Sequence, residues 1–107
     1  MKVLLDEMLP VGVADLLHDH LVTTAKAAGY AGLTNGELIR RAVEAGYDVL
    51  VTADRNMPAQ QNIGAADIAV VLVPGNRLVE IEPVSEVIRD AVSTARSGTV
   101  TRVARPH

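Results

Sequence analysis

The 107-residue chain has no cysteine, no tryptophan and no phenylalanine. Without cysteine there is neither a disulfide nor a thiolate metal site, and cysteine usage leaves the redox compartment undetermined. Aromatics make up 2% of the residues, both of them tyrosine, so the core must be built from Val, Leu, Ile and Ala. Positive charge is not in excess: 10 Lys and Arg face 13 Asp and Glu, a net charge of −3 at pH 7. That balance argues against a dedicated basic nucleic-acid-binding surface. It leaves room for an enzyme that meets nucleic acid through a metal and a few arginines. No apolar stretch is long enough to span a bilayer, and the N-terminus enters a strand-like run rather than a signal peptide. No membrane partner and a cytoplasmic location are therefore expected.

What the chain does have is a sizeable apolar fraction, 49% hydrophobic against 21% charged. This suits one soluble domain over residues 1–107. Lys2 to Asp6 reads as a short strand, and Pro10 suits the first turn of a helix with Val13, Leu16 and Leu17 as its apolar stripe. Leu21 to Thr24 is a second strand, followed by a glycine-containing loop from Ala25 to Leu33. Thr34-Asn35-Gly36-Glu37 opens a helix with Leu38, Ile39, Ala42 and Val43 on its buried face, and Gly46 ends it. Asp48 to Thr52 is the third strand.

Arg55 to Gly64 is polar and contains Pro58, as a loop or a short helix would. Ile68 to Val73 is a buried strand, closed by Pro74-Gly75-Asn76. Leu78 to Ile81 reads as a short edge segment. Val84, Val87, Ile88, Ala91, Val92 and Ala95 follow helical spacing, and Thr99 to Val103 alternates as a last edge strand would. Strands alternating with helices predict an α/β fold, a mostly parallel sheet covered on both faces.

Two apolar strands end in carboxylates: Val3-Leu4-Leu5-Asp6-Glu7 and Val49-Leu50-Val51-Thr52-Ala53-Asp54. Right-handed crossovers bring all strand C-termini to one edge, where open α/β sheets bind ligands. Glu37 is expected near that edge, because its helix follows the second strand tip. Carboxylates crowded together need a counter-charge, and oxygen-only ligands suit Mg²⁺ or Mn²⁺. Asp6, Glu37 and Asp54 are thus the candidate metal ligands and catalytic residues, with Arg55 as the candidate phosphate contact.

Each acid also has a structural role open to it. Asp6 and Glu7 could serve the helix near Pro10. Thr34-x-x-Glu37 has capping-box spacing, and Arg41 lies at i+4 from Glu37. Asp54 could open a turn before Arg55 and Asn56. Glu7 follows Asp6 directly, so on a continuing strand it faces the other way. His18 and His20 read as surface residues.

The strings Leu4-Leu5-Asp6-Glu7-Met8-Leu9-Pro10, Thr34-x-x-Glu37-Leu38-Ile39 and Leu50-Val51-Thr52-Ala53-Asp54-Arg55-Asn56 together resemble the small PIN-like family. Those are compact relatives of the nuclease domain of VapC-type toxins. Asn56-Met57 and Gln60-Gln61-Asn62, ahead of an apolar strand, are similar to one subgroup. The resemblance implies a three-layer α/β/α sandwich and a Mg²⁺- or Mn²⁺-dependent ribonuclease site. Its metal ligands would be Asp6, Glu37 and Asp54, and Arg55, Asn56 and Gln61 would contact the RNA substrate. It also implies a small antitoxin as protein partner.

The chain departs from the family pattern at Asn56, where a further acid is common, and at Asn35, where many relatives carry Asp. With fewer carboxylates, a weak or inactive binding or dimerisation module is the alternative. The apolar C-terminal helix could pack on the sheet or on a second subunit, which would make a homodimer. A second resemblance is to response-regulator receiver domains, through Asp6, Glu7 and Asp54-Arg55-Asn56-Met57-Pro58. That would make Asp54 a phosphoacceptor, but the lysine such domains carry at the last strand tip is missing: the only lysines are Lys2 and Lys26.

Overall fold

Three apolar runs dictate the centre of the molecule. In the computed structural model, which describes residues 1–105, they become β1 (Lys2–Leu5), β3 (Val49–Thr52) and β4 (Ala69–Leu72). β3 and β4 are buried along their whole length, as expected of parallel strands covered on both faces. β2 (Leu21–Thr24) and β5 (Val100–Arg102) flank them and are more exposed. The five strands form one sheet in the order β2-β1-β3-β4-β5, and every pairing is parallel.

The two-residue period of the strands splits the core into two layers. Val3, Leu5, Val49, Val51 and Val71 point to one face, where Val13, Leu17, Ile81, Ile88 and Val92 cover them. Leu4, Leu50, Val70 and Leu72 point to the other, under Leu38, Ile39, Ala42, Met57 and Ile63. The result is a three-layer α/β/α sandwich with an all-parallel sheet, the fold class that strand–helix alternation predicts. Among the described residues no helix is long and apolar enough to cross a membrane.

Helix α1 (Val13–Leu16) is a single turn, and α2 (Asn35–Glu44) is the main helix of its face. The Thr34 side chain caps α2 by accepting from the Glu37 amide at 3.3 Å, and Gly46 stops it with a φ of +81°, a left-handed turn that glycine takes without steric cost. The polar stretch after β3 folds as a short helix, α3 (Met57–Gln60), and a 3₁₀ turn at Ile63–Ala65. Leu78–Ile81 is not an edge segment. It forms α4, which continues through a 3₁₀ turn at Glu82–Val84 into α5 (Ser85–Thr94). β5 already occupies the edge beside β4, and Leu78 and Ile81, three apart, reach the core together from one helical face.

Candidate metal centre at the strand tips

The strand order reverses direction at β1: the chain runs outward to β2, then returns across β1 to β3. In sheets of this order the crevice between β1 and β3 is the switch point where ligands bind. Asp6 lies one residue past the end of β1, held there by its own amide donating to the Val51 carbonyl at 2.9 Å. Asp54 lies two residues past Thr52, the last residue of β3. Strand parity aims Asp6, Thr52 and Asp54 at the α2 side, because Leu4 and Leu50 already face it.

Thr52 ties the two acids together. Its side chain is completely buried. The hydroxyl donates to Asp6 Oδ2 at 2.6 Å and accepts from the Asp54 amide at 3.1 Å. A hydroxyl donating to a carboxylate at this distance is a charge-assisted bond, stronger than a neutral one. It fixes one oxygen of a buried carboxylate and leaves the other outside this bond. Asp54 is oriented from two further directions. Its Oδ1 accepts from the Asn56 amide at 2.9 Å, closing an Asx turn, and its Oδ2 accepts from Asn35 Nδ2 at 2.9 Å. Asn35 is the first residue of α2, so the helix sends one amide across to the β3 loop.

Among the described residues, neither Asp6 nor Asp54 takes part in an ion pair. Two carboxylates at adjacent strand tips, braced by neutral donors and without a basic partner, form a hard-oxygen set compatible with Mg²⁺ or Mn²⁺. Glu37 does not join them. No group of three or more His, Cys, Asp or Glu that could hold a metal occurs among the described residues, so Asp6, Glu37 and Asp54 do not assemble as a three-carboxylate centre. The reason is the rotation of α2. Burial of Leu38, Ile39 and Ala42 sets which face meets the sheet, and Glu37 falls on the exposed side. The reciprocal half of the capping box and the Glu37–Arg41 pair are also not formed. Instead, Arg40 pairs with Glu44 at 3.5 Å.

No family model, curated protein or solved structure matches this chain. The functional reading therefore rests on its own side chains.

Glu7 has a structural role. β1 has ended, and the exposed Glu7 carboxylate accepts from the Gly32 amide at 3.1 and 3.3 Å, pinning the loop between β2 and α2. Gln61 lies against the α2 N-terminus: its Oε1 would be 3.3 Å from a Cβ added at Gly36. Asn56 is exposed and caps nothing with its side chain. His18 is exposed and pairs with Asp19 at 3.0 Å, and His20 reaches Ser93 Oγ at 3.1 Å at the opposite edge of the sheet.

Arg55 lines a cleft of about 180 Å³ with Leu72, Val73, Arg102, Val103 and Ala104. Sequence reasoning missed Asn35 and Thr52 as organisers of Asp54, although both are polar residues next to a strand tip or helix start. It also missed Arg102, because nothing in the linear pattern says which edge strand ends beside Arg55.

Proposed function

We propose that the chain is a PIN-like, metal-dependent ribonuclease acting in the cytoplasm, with Asp6 and Asp54 as the carboxylates that hold Mg²⁺ or Mn²⁺. The observation that carries this reading is the Asp6–Thr52–Asp54 chain at the β1/β3 switch point, in which neither carboxylate has an ion-pair partner among the described residues. Two carboxylates are sufficient for Mg²⁺, which commonly keeps several waters and takes further ligands from substrate phosphate. The ion would supply a water of lowered pKa and polarise a phosphodiester oxygen.

The protein's own groups do the rest by positioning. Thr52 fixes the Asp6 carboxylate, and Asn35 together with the Asn56 amide fixes that of Asp54. Preset orientation of this kind removes the cost of arranging ligands at the moment of reaction. Arg55, next in sequence to Asp54 and exposed, supplies a guanidinium suited to phosphate. The family resemblance extends the proposal to a toxin restrained by a small antitoxin.

The test is cleavage of labelled single-stranded RNA by the purified chain in Mn²⁺, Mg²⁺ or EDTA. Metal-dependent cleavage is expected, falling about 100-fold or more in Asp6→Asn and Asp54→Asn. No metal-dependent cleavage, or an Asp54→Asn variant as fast as the native chain, would sink the proposal.

One observation favours a second reading. The order β2-β1-β3-β4-β5 is also that of flavodoxin-like phosphoacceptor domains. In that case Asp54 would be labelled stoichiometrically by acetyl phosphate. Against it, the tip of β5 carries Arg102 and no lysine.

A further inference from the structure

The strand register carries the site beyond the carboxylates. Thr52 is paired with Leu72 across β3 and β4, and Leu72 with Arg102 across β4 and β5. Thr52, Leu72 and Arg102 therefore form one row at the strand tips. Register partners in a parallel sheet point to the same face. Leu72 packs in the α2-side core, as does Val100, two residues before Arg102. Arg102 thus leaves the sheet on the face that holds Asp6, Thr52 and Asp54. Strands lie about 4.8 Å apart, so its backbone is about 10 Å from that of Thr52.

Arg102 shares with Arg55 a cleft at the tips of β4 and β5, whose lining draws Leu72 from the α2-side core and Val73 and Val103 from the other layer. Its lining contains no acid, in a chain that carries a net charge of −3. Among the described residues neither guanidinium is in an ion pair, whereas Arg40, Arg77 and Arg105 each have a glutamate partner. The floor is apolar: Leu72, Val73 and Val103 are all nearly inaccessible. Two uncompensated guanidinium groups over an apolar floor suit a phosphate with a sugar or base laid beside it.

We propose that Arg55 and Arg102 form a clamp for a backbone phosphate of single-stranded RNA, one position along the strand from the phosphate that faces Asp6 and Asp54. The identity of the ligand as RNA rests on the nuclease reading above. The clamp itself rests on the cleft and the register. The strand would cross the sheet edge from β1 towards β5. Arg55 follows Asp54 on the loop after β3 and lines the same cleft as Arg102.

The experiment is equilibrium binding of a short fluorescein-labelled single-stranded RNA to the full chain in EDTA, over a salt series. Arg55→Gln and Arg102→Gln are each expected to weaken binding about tenfold, as loss of a hydrogen bond to a charged group does. The double variant should flatten the slope of log K against log salt by about 1.4, two contacts at about 0.7 each. Arg102→Lys should keep the slope and lose affinity, because an ammonium cannot make the planar two-point contact. Arg96→Gln, an exposed charge ahead of β5, should leave binding unchanged.

Both arginines are exposed, so thermal melts of the variants should match the native chain. The clamp is overturned if native protein binds no RNA, if the double variant keeps the native affinity and slope, or if Arg96→Gln weakens binding equally. Cleavage in Mn²⁺ is scored separately. Arg-dependent binding without cleavage removes the nuclease reading and leaves the clamp. Cleavage with Arg-independent binding removes the clamp alone.

Discussion

Replacing Thr52 by Val tests the centre of the site with almost no change in side-chain volume. The residue is completely buried, so the methyl that replaces the hydroxyl fits the same space and leaves no cavity. What is lost is the bond to Asp6 Oδ2 at 2.6 Å and the acceptor for the Asp54 amide at 3.1 Å. A hydrogen bond to a charged group contributes about 1.5–3 kcal/mol, and the neutral one about 1 kcal/mol. Burying a methyl in place of a hydroxyl returns roughly 1 kcal/mol. The expected net loss is therefore about 1.5–3 kcal/mol.

The chain has no tryptophan, so urea unfolding is best followed by far-ultraviolet circular dichroism. The midpoint should fall by about 1–2 M with an unchanged slope. Thr52→Ser keeps the hydroxyl and should cost only about 1 kcal/mol for the lost methyl. In a double-mutant cycle with Asp6→Asn, Thr52→Val should show a coupling of about 1 kcal/mol or more. A Thr52→Val variant within about 0.5 kcal/mol of native, or a coupling below that value, would refute the view that this hydroxyl holds the Asp6 carboxylate.

Further expectations follow from other contacts. Mn²⁺ at about 100 times its Kd should raise native stability by about 2.7 kcal/mol, reversibly on adding EDTA, and Asp54→Asn should abolish that rise. Leu50→Ala, at a fully buried position in the α2-side core, should cost about 3–5 kcal/mol by urea unfolding. Gly98→Ala should destabilise by about 2 kcal/mol, because φ is +80° and the new Cβ would sit 3.1 Å from the Gly64 carbonyl oxygen. Glu7→Ala should change global stability by less than about 1 kcal/mol. Even so, it should speed hydrogen exchange at Gly32, whose amide it now bonds.

Continuous apolar runs made β1, β3 and β4 legible in the sequence, since strands covered on both faces are built almost wholly of Val, Leu and Ala. The start of α2 was legible for a chemical reason, the Thr34 cap. The helical turn at Leu78–Ile81 was not: four residues, three of them apolar around Glu80, suit an edge strand or a turn of helix equally, and only the presence of β5 at the edge decides. The tips of β1 and β3 put Asp6 and Asp54 in place from pattern alone. Glu37 illustrates the limit. Its position in sequence placed it near the right edge of the sheet, but its direction depends on how α2 is rotated by packing. Likewise Thr52 can reach Asp6 only in the register that pairs Leu5 with Val51, and register is a property of two strands at once.

The parallel sheet also sets when the site comes into being. Thr52 and Asp6 are 46 residues apart along the chain, and β1 can meet β3 only after β2 and α2 have been looped out between them. Closing so long a loop is a late and entropically costly event compared with forming α2 or α5. The carboxylates are therefore brought together in the same step that assembles the central strands. A chain caught before that step lacks the Asp6–Thr52–Asp54 contact, so any Asp54-dependent binding of Mn²⁺ during refolding should appear only once β1 and β3 have paired.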